Sequence, residues 1–330
     1  MTHDVKALAL STLKDLAKPL RRLRVLYWGG SGRGFPGGDG PVEAVDLLNS
    51  VGLHFVYTHA GDPDEAEKLN AEYDVAIVTN TRIGLLLEAP ARLWDCAARR
   101  AWWHWDLRPG HVGAPLRGRV DRVFLTYDGP WTAPDGAVYD PPQWAQALGV
   151  PVSYCPQASP LRSPTPAPGG ARVVFVGDLA NRTYHRGRAE LCRALGAEVL
   201  NARARDGRLA IEARLPTVYP SARYCLSASP LAPGYTSVRT YSILACGGLL
   251  LLHRFPDSER LFADGEHAVL FDTADEAVER IAALDAESTA RAAIARAGRE
   301  LHASRHTTAH HVASICREML GVSDGFSGWL

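Results

Sequence analysis

The sequence is poor in lysine, methionine and paired cysteine, and it carries no excess of either charge. Lysine occurs only at Lys6, Lys14, Lys18 and Lys68, and 330 residues contain 2 methionines. Arginine supplies nearly all the positive charge, a bias of genome composition rather than of chemistry. Lys plus Arg equals Asp plus Glu at 36 each, so no global field draws the chain toward nucleic acid or a membrane surface. The 6 cysteines are far apart and form no CxxC pair. That argues against a disulfide framework and fits a reducing, cytoplasmic setting, with cysteines in apolar runs acting as small hydrophobes. No stretch reaches the roughly 18 apolar residues of a spanning helix. The Leu/Ala stripe of residues 1–24 is broken by Lys and Asp, so it reads as a helix leading into the first strand rather than as a signal core.

What is present is an alternation of apolar runs and helical patterns, repeated in two halves. This predicts an α/β fold with parallel sheets covered by helices. Strands are expected at 24–28, 53–57, 75–79, 101–105 and 122–126, with helices between them and a short one at 143–148. Residues 159–170 carry four prolines and two glycines without apolar periodicity, the composition of a linker. A buried strand at 171–176 opens the second half. Strands at 198–200, 224–227 and 249–253 follow, with helices near 188–195, 217–222, 238–246, 274–284 and 289–301. The expected domains are residues 1–160 and 161–330, with the last helix, about 308–320, a candidate to pack back on the first. Two such domains leave a cleft between the carboxyl ends of their strands, where ligands bind in doubly wound folds.

The stretch Ser227–His253 is the most informative. A strand ends, a loop with Gly234 and Tyr235 follows, and Thr236 and Ser237 stand at a helix start. An exposed helix N-terminus offers unpaired N–H groups and a positive dipole end, both suited to a diphosphate. The hydroxyls can add hydrogen bonds, and Arg239 a charged fork. An ordinary Ser/Thr cap with Arg239 on a solvated face is the other reading of the same residues.

The run Ser237-Val-Arg239-Thr-Tyr241-Ser242-Ile-Leu-Ala245-Cys246-Gly247 resembles the C-terminal domain of GT-B glycosyltransferases, particularly the CgeB-like group. Pro256, Leu261-Phe262, Asp264-Gly265-Glu266, Leu270-Phe271 and His306-Thr307 follow the same family order. Upstream, Val174-Phe175-Val176-Gly177 with Arg182, Arg186 and Arg188 resembles its strand end and arginine-bearing helix. The similarity spans about residues 171 to 320, and more loosely 102 to 160, where it extends to bacteriophage DNA glucosyltransferases. It implies two Rossmann-like domains around a central cleft and a nucleotide-diphosphate sugar, expected to be a UDP-sugar, as substrate, with no other cofactor. The implied donor contacts are Gly177, Arg182, Arg186, Tyr235, Thr236, Ser237, Arg239 and Ser242. Ser242 departs from the family, which usually has Glu there to accept from the donor ribose hydroxyls. Weaker or altered donor binding, or a non-catalytic sugar-nucleotide-binding relative, follows from that change.

A second constellation is Trp102-Trp103-His104-Trp105-Asp106-Leu107-Arg108-Pro109-Gly110-His111. Asp106 closes a strand at the cleft, where a general base must deprotonate an acceptor hydroxyl. It is the candidate catalytic residue, with His104 and His111 in reserve and Trp105 and Arg108 on the acceptor side. Capping the next turn or pairing with Arg108 is the structural alternative for Asp106. The glycine-rich loop 29–40, with Gly30 and Ser31, is expected to be a mobile loop shaping the acceptor side, a disordered surface loop being the other reading of the same residues. Its GxGxxG at Gly32, Gly34 and Gly37 is interrupted by Pro36 and separated from the helix, so NAD-dependent oxidoreduction is the weaker alternative. The arginines of 92–122 suit a phosphate-bearing acceptor such as DNA with a hydroxymethylated pyrimidine, although solvated helix faces explain most such runs. His302, His306 and His310 recur at helical turns beside His311. No carboxylate or cysteine completes a metal site there, so a helix-surface position is expected. Metal independence is expected on other grounds: Arg186 or Arg239 and a helix terminus can stabilise the departing diphosphate, and the resemblance implies it.

Overall fold

The computed structural model describes residues 4–29, 40–79, 83–179, 187–200 and 205–322. In the first domain six parallel strands form one sheet in the order β2-β1-β3-β4-β5-β8. They are β1 (Arg24–Gly29), β2 (His54–His59), β3 (Tyr73–Thr79), β4 (Ala97–His104), β5 (Arg122–Leu125) and β8 (Val152–Tyr154). A separate antiparallel hairpin, β6 (Trp131–Thr132) and β7 (Val138–Tyr139), stands between β5 and β8 in sequence. The covering helices are α1 (Val5–Ala17), α2 (Gly40–Ser50), α3 (Glu65–Asn70), α4 (Ile83–Leu87), α5 (Ala91–Asp95) and α6 (Pro141–Leu148). Asp4 starts α1 by accepting from the Lys6 and Ala7 amides, satisfying two of its open donors.

The central strands read as continuous apolar runs because both sheet faces are covered. Val25 and Tyr27 point to one face, against Leu13, Ala17, Ala44 and Leu48. Leu26 and Trp28 point to the other, against Leu69, Trp94 and Trp144.

The second sheet is also wholly parallel, in the order β10-β9-β11-β12-β13. Its strands are β9 (Val173–Val176), β10 (Glu198–Leu200), β11 (Tyr224–Ser227), β12 (Leu250–His253) and β13 (Val269–Phe271). Around it lie α7 (Arg188–Ala194), α8 (Arg205–Ser221), α9 (Val238–Ala245), α10 (Ser258–Leu261), α11 (Ala274–Asp285) and α12 (Ser288–Leu301). A π-helical turn, His302–His306, then leads into α13 (Thr308–Met319). α13 lies in the first domain: Ala309, Val312, Ile315 and Cys316 join the core of Leu13, Val25 and Tyr27. Arg122 and Glu318 pair at 2.6 Å along the same contact.

Several elements differ from the sequence-based expectation, among them the hairpin of β6 and β7, which was not anticipated. β8 was not anticipated, since three residues after Pro151 carry too little pattern, yet it pairs with β5 through Val123, Phe124 and Leu125. β4 starts at Ala97, ahead of the apolar residues, because Arg99 and Arg100 keep the ladder with β3. α8 runs through Pro216 and Pro220 instead of starting near Thr217.

The histidine ladder is a clear correction. His302, His306, His310 and His311 are buried, not on a helix surface. They line the crossing between the π turn, α13 and the linker. His302 Nε2 lies 3.0 Å from Ser159 Oγ, and His311 Nδ1 lies 3.0 Å from the Pro156 carbonyl. His310 reaches Thr12 of α1 at 2.8 Å, and the His306 ring packs against Tyr241 of α9. Among the described residues no group of three or more His, Cys, Asp or Glu is placed to hold a metal ion. No described helix is long and apolar enough to cross a membrane.

Candidate functional site

The carboxyl ends of the second sheet carry two guanidinium groups on one aromatic ring. Arg188, at the start of α7, and Arg239, in the first turn of α9, lie over Phe175 at 5.4 and 4.4 Å. Both reach the carbonyl that follows β11: Arg188 Nε donates to the Ala228 oxygen at 2.9 Å and Arg239 Nη1 at 3.5 Å. Arg239 also donates to the Val176 carbonyl. Burial, with the neighbouring Arg239, disfavours the charge on Arg188, and burial does the same to Arg239. Two like charges held together in a desolvated place favour an anion between or beside them. Among the described residues no carboxylate pairs with Arg239.

Gly177 ends β9 beside this pair. A Cβ there would sit 2.5 Å from Arg239 Nη2 and 3.1 Å from the Phe175 ring, so a side chain at this position would displace the guanidinium from the strand end. Ser237 is the N-cap of α9, and its side chain makes no capping bond. Its Oγ lies instead 3.5 Å from Arg239 Nη1. Gly177, Ser237 and Arg239 are therefore brought together at one helix start. The solvated-face alternative for Arg239 does not hold. Thr236 and Ser242 sit deeper: Thr236 donates to the Tyr241 hydroxyl, and both are buried. Arg182 and Arg186 lie outside the described residues, as do Gly30, Ser31 and the GxGxxG.

Tyr235 joins this site to the first domain. It is buried within the core formed by Trp28, Trp102 and Trp144, although its loop belongs to the second domain. Its phenol is pushed up by burial and then by the charge of Asp106, while Arg188 acts the other way and Gln157 hydrogen-bonds it. Gln157 also donates to the Trp105 carbonyl. The loop is clamped from below as well. The Tyr154 hydroxyl donates to the Gly234 carbonyl at 2.8 Å, and Asp128 pairs with Arg260 at 3.0 Å. Gly234, at φ +68°, leaves no room for a Cβ, which would lie 2.9 Å from Asp128 Oδ1.

Asp106 follows β4 on the cleft side and remains half-buried. Both structural roles open to it are realised: it accepts from the Leu107 amide at 2.9 Å and pairs with Arg108 at 3.1 Å. Burial still outweighs those stabilising contacts, so its carboxyl is held above the ordinary aspartate range. A carboxylate of raised pKa with 40% of its side chain accessible suits proton acceptance. Trp105 is half-buried next to it, its ring 4.7 Å from that of Trp103. His104 is a correction: it is 0% exposed, with its ring against Trp102 and Trp144, out of an acceptor's reach.

The arginine-rich stretch is largely engaged in the fold. Arg100 pairs with Asp121, Arg122 with Glu318, Arg117 donates to the Gln146 and Ala147 carbonyls, and Arg99 donates to the Met319 carbonyl. A cavity of about 620 Å³ adjoins Arg188 and Ala228 and extends to Trp131 and Thr132 of the hairpin and to His253 at the end of β12. Neither Trp131 nor His253 was singled out from the sequence, because nothing local to them marks a site.

Residues 169–317 match the family described as glycosyl transferase-like. HepE from Anabaena, solved with UDP and glucose, superposes with a TM-score of 0.54 at 12% identity, covering 91% of this chain and 100% of that one. An alpha-glucosyltransferase solved with UDP-glucose and DNA containing an abasic site gives 0.59 at 11%, covering 90% and 99%. Sucrose-phosphate synthase from Thermosynechococcus elongatus gives 0.56 at 13%, covering 91% and 100%. The chain has a GT-B fold. No curated protein matches the sequence. The expected GT-B architecture is the observed one, and at these identities the likeness to solved structures extends to the fold alone.

Proposed function

We propose that this GT-B protein transfers a glycosyl group from a nucleoside-diphosphate sugar, a UDP-sugar first, to a hydroxyl acceptor. The observation that carries the reading is the guanidinium pair Arg188 and Arg239 on Phe175, at the start of α9 and beside Gly177. The donor diphosphate binds there, with Ser237 and the α9 amides as further donors. The acceptor oxygen attacks the anomeric carbon, the bond from that carbon to the diphosphate oxygen breaks, and the acceptor proton passes to Asp106. The nucleoside diphosphate leaves with its charge stabilised by arginine and the helix terminus, so the proposal includes metal independence. The similar HepE and alpha-glucosyltransferase structures contain UDP or UDP-glucose, which supports the donor class. A related structure containing UDP and a DNA 13-mer with an HMU base makes hydroxymethylated DNA the first acceptor to assay. With the arginines of 92–122 engaged internally, that choice rests on the comparison and not on a basic rim.

Thermal melts with UDP, GDP, ADP, TDP and NAD test the donor class. A ligand at 100 times its Kd adds about 2.7 kcal/mol, a shift of a few degrees in a protein of this size. The expected result is a shift with one nucleoside diphosphate that Arg239→Ala abolishes. A response to NAD alone would overturn the reading. Binding without transfer or hydrolysis would favour the non-catalytic relative suggested by Ser242.

A further inference from the structure

The diphosphate reading above accounts for Arg188 and Arg239 but leaves the adjoining cavity unexplained. That cavity, about 620 Å³, is of a size for a small-molecule ligand. Arg188 and Ala228 are among its lining residues, and the described residues lining it include neither Asp106 nor Tyr235. Two groups extend from a bound diphosphate. The sugar must lie toward Asp106 to react, which leaves this cavity, with no Asp106 in its described lining, to the nucleoside.

Its wall is shared between the two domains. The loop after β11 supplies Ser229, Pro230 and Leu231, and the hairpin of the first domain supplies Trp131. Leu231 is 41% exposed and Trp131 is only half-buried, so each leaves apolar surface open to the same cavity. The Trp131 ring is propped by Tyr139 across the hairpin, 5.2 Å away and tilted by 39°. Antiparallel pairing of Trp131 with Tyr139 fixes that placement. An open indole beside an aliphatic side chain suits a flat, weakly polar group that can stack. Among donor components the base is flat and aromatic throughout, and the sugar is already required near Asp106. Thr132, Glu190 and Ser229 provide the hydrogen-bonding groups nearby.

We infer that the donor's nucleobase binds in this cavity against Trp131, so that the hairpin of the acceptor-side domain positions a ligand held mainly by the other domain. The inference rests on the proposed donor reading. It makes Trp131 a positioning and specificity-determining residue and couples donor binding to the relative placement of the two domains.

Calorimetric titration with two probes, UDP and inorganic pyrophosphate, tests it. Base stacking on an aromatic side chain is worth about 1–3 kcal/mol, roughly a five- to 150-fold change in affinity. Trp131→Ala is expected to weaken UDP by at least about fivefold and to leave pyrophosphate unchanged, with Trp131→Phe recovering most of the UDP affinity. Loss of both probes together, or UDP bound equally by Trp131→Ala and the unaltered protein, overturns the inference while leaving the donor reading in place. Failure of the unaltered protein to bind any nucleoside diphosphate overturns the donor reading and this inference with it.

Discussion

At the scale of single residues, the site depends on where charge is desolvated. Asp106 is held above the ordinary aspartate range by burial, against the pull of Arg108 and the Leu107 amide. As the base in the proposed transfer it must be ionised, so activity falls as pH drops through that raised pKa. Asp106→Asn is expected to lower kcat by about 10²–10⁴-fold with little change in donor affinity. Steady-state kinetics over pH 4–9 check both. Unchanged kcat would remove Asp106 from the mechanism. Glu43 is a second displaced carboxyl: burial pushes it up to about 7, opposed by the Leu161 amide and then Arg162. Its folded-state pKa lies above its unfolded value, so its contribution is full at low pH and is lost as pH rises through about 7. Glu43→Gln is expected to raise Tm more at pH 8 than at pH 5, and melts at the two values decide it.

Residue-level legibility followed sequence proximity to an element end. Gly177 closes a strand, and Ser237 and Arg239 open a helix, so their place was readable from the chain alone. Arg188 was visible as one of three arginines after that strand, without its contact to Phe175. His104 misled because strand alternation gives two faces and not which is covered: it points under Trp144, while Asp106 lies beyond the strand end. Trp131 acquires a role only when a hairpin from one domain meets a loop from the other, which no local pattern encodes.

Elements show the same division. The parallel strands and most helices followed from apolar runs and caps, because those signals are local. The helical spacing of His302, His306 and His310 did not hold along one helix, because extended Thr307 separates the π-helical turn of His302 and His306 from α13 with His310, and period alone does not say what lies over a face. Ser159, Pro156, Thr12 and Tyr241 lie over it, all distant in sequence. Burial holds His302, His310 and His311 down at about 3 and His306 well below its usual value. Their folded pKa values lie below the unfolded value near 6.5, so this stability is complete above about pH 6.5 and is lost as pH falls toward 3. Each histidine costs on the order of 1 kcal/mol per pH unit across that window, before coupling among them. Urea midpoints should therefore drop steeply from pH 7 to pH 5, and His310→Gln should flatten the slope. A slope unchanged in the variant would mean that another group titrates there.

For the whole molecule, chain order and domain membership part at α13. A division of the chain near residue 160 assigns this helix to the second domain, yet its side chains complete the core against α1, α2 and β1. Ala309, Val312, Ala313, Ile315, Cys316 and Met319 are all buried there. A fragment of residues 1–160 would expose that face, and uncovering even two or three such side chains costs about 1.5–3 kcal/mol each, a large part of a domain's net stability. Arg99 and Arg122 would lose their partners on α13 as well. The fragment is expected to bind a hydrophobic dye and to melt without a cooperative transition, while the full chain does neither. Supplying residues 305–322 as a separate peptide should restore part of the cooperativity. A cooperative melt of the fragment alone would show that the first domain folds without α13. The crossing would then serve only to hold the two domains, and with them Asp106 and the Arg188–Arg239 pair, at a fixed separation.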